Sequence, residues 1–223
     1  MIDALETVLG SEGTLVMPAL VQRDFAHAYE TWDLYKPSDV GYLTEYFRKL
    51  PGVLRSDQAT HSVTARGRLA FELTHEHTAY GPRTGPFGDY AFSESSPWQK
   101  LYDLNGKVLF IGVSMRKNTL KHLAESMLVE SLLDEIADPE KRQRMAEQVK
   151  RFGVPGIWPY YDNEKMQEEL EQAGLLRRSV CGNAVLLCLD IAPMTVHTLE
   201  RLKQEPEKWF EGEVLRWIEA CRS

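Results

Sequence analysis

The sequence predicts an α/β fold, a central mixed sheet with helices packed around it. Three observations carry this reading. Short apolar runs suited to buried strands (residues 14–17, 107–113 and 183–189) alternate with longer stretches of helical periodicity. Start and stop signals separate the elements: Pro37-Ser38, Pro51-Gly52, Asn118 and Gly174. The chain has 223 residues, 43% of them hydrophobic, enough for one substantial core. Without linkers, low-complexity runs or internal repeats, residues 1–223 read as a single domain.

In chain order, residues 2–9 form a helix with Ile2, Leu5, Val8 and Leu9 on one face, ended by Gly10–Gly13. Residues 14–17 (TLVM) form a buried strand stopped by Pro18. Residues 21–39 are irregular and aromatic-rich. A helix over residues 40–50 sets Val40, Leu43 and Phe47 on one face. Residues 53–64 are loop or strand, and residues 65–74 are helical. Six glycines and prolines make residues 80–97 a long loop, a length that within a domain is usually functional. A short helix (98–104), the Asn105-Gly106 turn and the buried strand 107–113 (KVLFIGV) follow. Helices are expected from Asn118, over 139–152 and over 160–173. After them come a buried strand at 183–189 (NAVLLCL) and C-terminal helices at 192–203 and 206–221.

Composition excludes several functions. The net charge of −7 and pI near 5.5 do not attract nucleic acid, whereas an acidic surface suits a cationic substrate. No run approaches 18 apolar residues, so a membrane helix is not expected. The acidic start (MIDALETVLGSEG) is unlike a signal peptide, which points to the cytoplasm. Cys181, Cys188 and Cys221 form neither a CxxC pair nor a disulfide framework; Cys181 and Cys188 read as small core residues. His75-Glu76-His77 lacks the further ligands a metal would need, so no metal is expected.

Residues 108–125, VLFIGVSMRKNTLKHLAE, are the most informative segment. A strand runs out at Gly112-Val113, and Asn118 suits the N-cap of the next helix. Ligands on α/β folds sit beyond strand carboxyl ends, beside helix N-termini with their unpaired N–H groups. Thr119, His122 and Glu125 follow at intervals of three, so a hydroxyl, an imidazole and a carboxylate share one face. A neutral imidazole can take a proton from an attacking amine. A carboxylate on its far side fixes the tautomer, and a hydroxyl can steady a developing oxyanion. An ordinary surface helix would show the same spacing. A Ser-His-Glu hydrolase is disfavoured because no G-x-S-x-G elbow is present.

This segment resembles the G-V-x-x-x-x-N-T-x-x-H-x-A-E stretch of the aminoglycoside 3-N-acetyltransferase family, carried here by Gly112-Val113, Asn118-Thr119, His122 and Ala124-Glu125. Gly13–Pro18 is similar to that family's GTLVMP strand. Trp32, Pro37-Ser38, Gly41, Leu43–Glu45, Phe47-Arg48, Pro51-Gly52, Arg55-Ser56, His61–Val63, Ala65, Gly67, Pro97 and Lys100-Leu101 keep its order. The resemblance is strong over about residues 4–130 and loose beyond. It implies an acetyl-CoA-dependent N-acetyltransferase of the antibiotic-modifying type, acting on the 3-amino group of an aminoglycoside by direct transfer in a ternary complex. His122 is then the general base, Glu125 its orienting partner and Thr119 the group that polarises the thioester carbonyl. Arg55, Ser56, His61, Ser62, Val63 and Asn118 are candidates for holding the coenzyme. His77, Tyr80, Asp89 and Glu94 are candidates for the acceptor pocket. Another amine acceptor and a catalytically impaired coenzyme-binding relative are the alternatives. Two departures stand out. Gln58-Ala59 occupies the place of the family's usual His-Pro, and the chain begins near the helix that follows the family's first strand and its Ser- and Gly-rich loop. Either the start is truncated or part of the cofactor site is missing; a sheet edge is then left open, which with the resemblance points to a homodimer.

Overall fold

The computed structural model describes residues 1–23, 27–77, 91–150 and 157–223. Their packing divides the chain into two compact units, Met1–Lys100 and Leu101–Ser223. The division falls inside a helix, Pro97–Asp103, so no linker composition marks it in the sequence.

The first unit holds α1 (Ile2–Leu9), β1 (Thr14–Pro18), α2 (Tyr42–Arg48), β2 (Leu54–Arg55), β3 (Val63–Gly67) and α3 (Ala70–Thr74), and enters α4 (Pro97–Asp103). Its strands form an antiparallel sheet in the order β1-β3-β2. Pro18 ends β1 on an edge strand, where a missing N–H breaks little of the ladder. Ile2, Met17 and Phe47 form a small core with Leu5, Leu15, Leu43, Leu50 and Val53 around it. Only part of the stripe expected on α1 is used: Val8 is 88% exposed and Leu9 41%. Residues 65–67, expected to be helical, belong to β3, because Ala65 pairs with Val16 on one side and Leu54 on the other. Pairing on both sides outweighs the helical preference of an isolated alanine. Gly67 closes the strand at φ 132°, where an added Cβ would lie 2.3 Å from the Gly13 carbonyl oxygen, so no side chain fits.

The second unit holds β4 (Lys107–Ile111), α5 (Lys121–Asp134), α6 (Pro139–Val149), α7 (Asn163–Gln172), β5 (Arg177–Cys181), β6 (Ala184–Asp190), α8 (Ile191–Gln204), α9 (Pro206–Trp209) and α10 (Gly212–Arg222). The mixture of helices and strands is as the sequence predicts. Among the described residues the strands form two three-stranded antiparallel sheets rather than one central mixed sheet. The reason is local in the second sheet, ordered β4-β6-β5. Gly182, at φ 58°, turns β5 straight back into β6, and so short a connection can only return the chain antiparallel. The strands expected to be fully buried alternate instead: Phe110, Leu187 and Leu189 are buried, while Leu109 is 40% exposed. Cys181 is correspondingly exposed and Cys188 half-buried, so neither is a core residue; Cys221 is buried, and burial pushes its thiol up to about 11. Helix α5 packs against α8. The single C-terminal helix expected over 206–221 breaks at Phe210, which is extended, and restarts at Gly212 at φ 60°.

Candidate active site

The path from strand to helix is tighter than the sequence implied. After β4, Gly112 turns at φ 68° and its N–H donates to the Val185 carbonyl (2.8 Å). Ser114 opens a single 3-10 turn, Met115–Lys117, and its hydroxyl accepts from Arg116 N–H. Asn118, 5% exposed, accepts at Oδ1 from the Leu120 N–H (3.1 Å), while its carbonyl accepts from Asn163 Nδ2 (3.3 Å). It therefore shapes the turn ahead of α5 rather than capping the helix, which begins three residues later at Lys121. The Asn118 side chain spends its acceptor on the nearest N–H, two residues on, as asparagine commonly does in turns. Thr119 lies half-buried in that turn, and its carbonyl accepts from the His122 N–H (3.1 Å).

On the first turn of α5, His122 Nδ1 meets Glu125 Oε2 at 2.7 Å. Helical i, i+3 spacing brings them together, as the sequence predicts. The Glu125 side chain is 0% exposed and that of His122 14%. A carboxylate only accepts, so a neutral His122 carries its proton on Nδ1 and presents Nε2 as the nitrogen able to take another. Among the described residues Glu125 has three more partners. Trp158 Nε1 donates to Oε2 and the Tyr161 backbone N–H to Oε1, both at 3.3 Å, and the Lys121 ammonium lies 3.5 Å from Oε1. Lys121, with 18% of its side chain exposed, also donates to the Tyr161 carbonyl (3.0 Å) and rides over the Tyr160 and Tyr161 rings. Tyr160 stands edge-on to the His122 ring at 5.9 Å. Burial, and then the Glu125 charge, push the Tyr161 phenol well above its ordinary range, so it is a neutral wall of the site. Lys121, Trp158, Tyr160 and Tyr161 were not picked out by sequence reasoning. The spacing of Lys121 from Glu125, one helical turn, was a usable signal; the others carried none.

The coenzyme candidates of the first unit form a bonded loop. Arg55 donates from Nε to Ser62 Oγ (3.1 Å), from Nη1 to the Leu34 and Lys36 carbonyls, and from Nη2 to the Ala19 carbonyl (2.7 Å), and it stacks on Trp32. Burial draws its guanidinium down to about 10. Ser62 Oγ donates to the Ala19 carbonyl (2.9 Å). Ser56, His61, Ser62 and Val63 are at most 1% exposed. His61 pairs with Thr60 at Nδ1, takes the Trp98 indole N–H on its carbonyl and meets the Phe92 ring edge. Gln58, which replaces the family's usual histidine, organises this loop. Its Oε1 accepts from Thr60 N–H, Thr60 Oγ1 and His61 N–H, and its Nε2 donates to the Tyr29 hydroxyl.

Of the acceptor-pocket candidates, Tyr80 and Asp89 lie outside the described residues. His77 is 1% exposed, and Nε2 faces the Ala91 carbonyl at 3.0 Å, which can only accept. The proton is therefore on Nε2, and Nδ1 accepts from the Ser56 hydroxyl (2.8 Å). This Ser–His contact differs from a hydrolytic one. Both residues are buried, a carbonyl stands where a carboxylate would, and burial pulls the imidazole down to about 3. Glu94 keeps a buried Oε2 with no hydrogen-bond partner among the described residues. No described group of histidine, cysteine or acidic residues could hold a metal, and no described helix is long and apolar enough to cross a membrane.

The fold and site define an α/β protein whose helix-borne imidazole is backed by a buried carboxylate. The aminoglycoside 3-N-acetyltransferase family profile matches residues 1–203, and the chain belongs to that family. Aminoglycoside N(3)-acetyltransferase IV of Salmonella is 32% identical over 127 residues, covering 57% of this chain and 44% of that protein. The SPbeta prophage-derived aminoglycoside N(3')-acetyltransferase-like protein YokD of Bacillus subtilis is 26% identical over 94% of this chain and 78% of that protein. The chain thus spans less than half the length of the first relative and about three quarters of the second. The crystal structure of aminoglycoside acetyltransferase AAC(3)-IVa as apoenzyme superposes with a TM-score of 0.68 at 22% identity, covering 99% of this chain and 81% of that one. AAC-IIIb in binary complex with CoASH gives 0.67 at 23%, over 95% and 84%. These structural likenesses establish the fold.

Proposed function

We propose that this chain is an acetyl-CoA-dependent N-acetyltransferase acting on the 3-amino group of an aminoglycoside, by direct transfer in a ternary complex. The reading rests on one observation above all: His122 Nδ1 is held at 2.7 Å by a fully buried Glu125. That arrangement leaves Nε2 as a proton acceptor with an ionised partner behind it. Family membership and the CoASH complex of a fold relative support the substrate class.

His122 Nε2 takes the proton from the amine as its nitrogen bonds to the thioester carbonyl carbon. The carbon–sulfur bond then breaks, the thiolate leaves with the electron pair, and the His122 imidazolium gives it the proton taken from the amine. Glu125 stabilises the imidazolium formed in between. Thr119, half-buried ahead of α5, is the hydroxyl for the carbonyl oxygen. Glu94 Oε2, buried and unpartnered among the described residues, is a receptor for a substrate ammonium. Arg55, Ser56, His61, Ser62 and Val63 serve the coenzyme by fixing a loop: the Arg55, Ser56 and Ser62 side chains bond to the chain itself, and His61 and Val63 are buried within it.

The test is thiol release from acetyl-CoA with a panel of aminoglycosides. We expect release with at least one, reduced about 10²- to 10⁴-fold in His122→Ala. Release that survives the substitution removes His122 as the base.

A further inference from the structure

We propose that Lys121 is a positioning residue for this chemistry: its ammonium neutralises the buried Glu125 carboxylate, so that His122 rests unprotonated and ready to accept. The inference rests on the reading of His122 as general base.

The argument is one of charge compensation. A carboxylate without solvent access must be paired. Among the described residues Glu125 has two neutral donors, Trp158 Nε1 and the Tyr161 N–H, and two groups able to bring positive charge, Lys121 at 3.5 Å and His122 at 2.7 Å. With Lys121 charged, Glu125 does not depend on an imidazolium for compensation. With Lys121 uncharged, the group that the described residues offer to compensate an ionised Glu125 is an imidazolium at His122, which cannot take a proton from an amine. The lysine is built to serve there. Its Nζ is tied to the Tyr161 carbonyl at 3.0 Å, and its charge faces the rings of Tyr160 and Tyr161 at 5.6 and 5.2 Å.

The groups around the pair are consistent with this division of charge. From α5 the pair meets Lys121. From residues 158–161 it meets the Trp158 indole, the edge of Tyr160 and the Tyr161 backbone. The phenol of Tyr161, neutral for the reason given above, reaches Thr198 of α8. On α8, His197 faces Glu169, and Lys203 pairs with Glu135 at the far end of α5. From α6, Arg142 is bonded to the Ile136 carbonyl.

The test uses two variants: Lys121→Gln, which can still donate to the Tyr161 carbonyl but carries no charge, and Lys121→Arg, which keeps the charge. Lys121→Met is a second neutral form should the glutamine variant melt early. Two readouts are taken. The first is the pH profile of kcat/KM for acetyl transfer. The second is the titration of His122 by NMR in the ligand-free protein, assigned with His122→Ala. In the neutral variants the acid limb and the His122 midpoint should both rise by about one pH unit, about tenfold in kcat/KM on that limb. The arginine variant should stay near the parent. A uniform loss at every pH with an unmoved midpoint would make Lys121 merely structural and overturn the inference. A midpoint that moves in a protein inactive toward every acceptor would leave Lys121 in place and instead refute the acetyl-transfer reading.

Discussion

His77 and His122 have the same side chain and opposite environments. Among the described residues His77 has a hydroxyl and a carbonyl for partners, and it is 1% exposed. Its imidazole is held down at about 3, against an ordinary value of 6.5. The unfolded chain therefore takes up a proton below pH 6.5 that the folded chain refuses until about pH 3. The sign follows: stability is complete above pH 6.5 and falls as the pH drops through that window. The slope for one proton is about 1.4 kcal/mol per pH unit, so the loss at pH 5 is about 2 kcal/mol. Glu45, drawn down to about 2 by the Arg48 guanidinium, begins to matter only below its ordinary 4.5, so it adds nothing between pH 6.5 and 5, and the difference between the parent and a variant lacking His77 isolates that histidine. Urea unfolding at pH 7 and 5 should show this loss in the parent and not in His77→Gln; equal losses would refute it. At this scale the sequence was legible where partners are local. His122 and Glu125 lie one helical turn apart and do meet. Trp158 and Tyr161 reach Glu125 from 33 and 36 positions along the chain, and Arg55 reaches the Ala19 carbonyl from 36. Nothing in a window of sequence encodes such partners.

Elements were legible in kind and less so at their ends and faces. The helix expected from Asn118 exists but starts at Lys121, because the asparagine satisfies a turn N–H first. The strands at 107 and 184 exist, but their apolar runs do not show that one face is exposed. β5, with the sequence RRSVC, is polar and exposed and offers no apolar signal at all. The start of α7 matters most for the site, since it anchors the segment that brings Trp158 and Tyr161 to Glu125. Asp162 caps it, accepting at Oδ1 from Glu164 N–H (2.8 Å) and Lys165 N–H (3.2 Å). Asp162→Ala should cost about 1 kcal/mol, and Asp162→Asn much less. For a chain of this size that is a fall of about 3 °C in Tm. A thermal melt distinguishes them, and identical melts for the alanine variant and the parent would mean that the cap is dispensable.

Over the whole molecule, the two units were not legible in the sequence, because their division lies within α4 and not in a linker. Charge, by contrast, is read directly: 26 lysines and arginines against 33 acids, a net −7. If the proposed reaction is right, its two substrates have opposite charges, a polycationic acceptor and an anionic coenzyme. A negative protein field draws in the first and repels the second, and salt weakens both effects as the screening length shortens to about 10 Å at 0.1 M. Raising salt from about 20 to about 200 mM should then lower kcat/KM for the acceptor, by about threefold for a field of this size. The value for the coenzyme, measured at saturating acceptor, should hold or rise. A salt effect of the same sign on both substrates would instead implicate general loss of structure. An effect confined to the acceptor that also vanishes in Glu94→Gln would place it at one carboxylate. Opposite signs that persist in Glu94→Gln would assign the steering to the net charge of the whole chain.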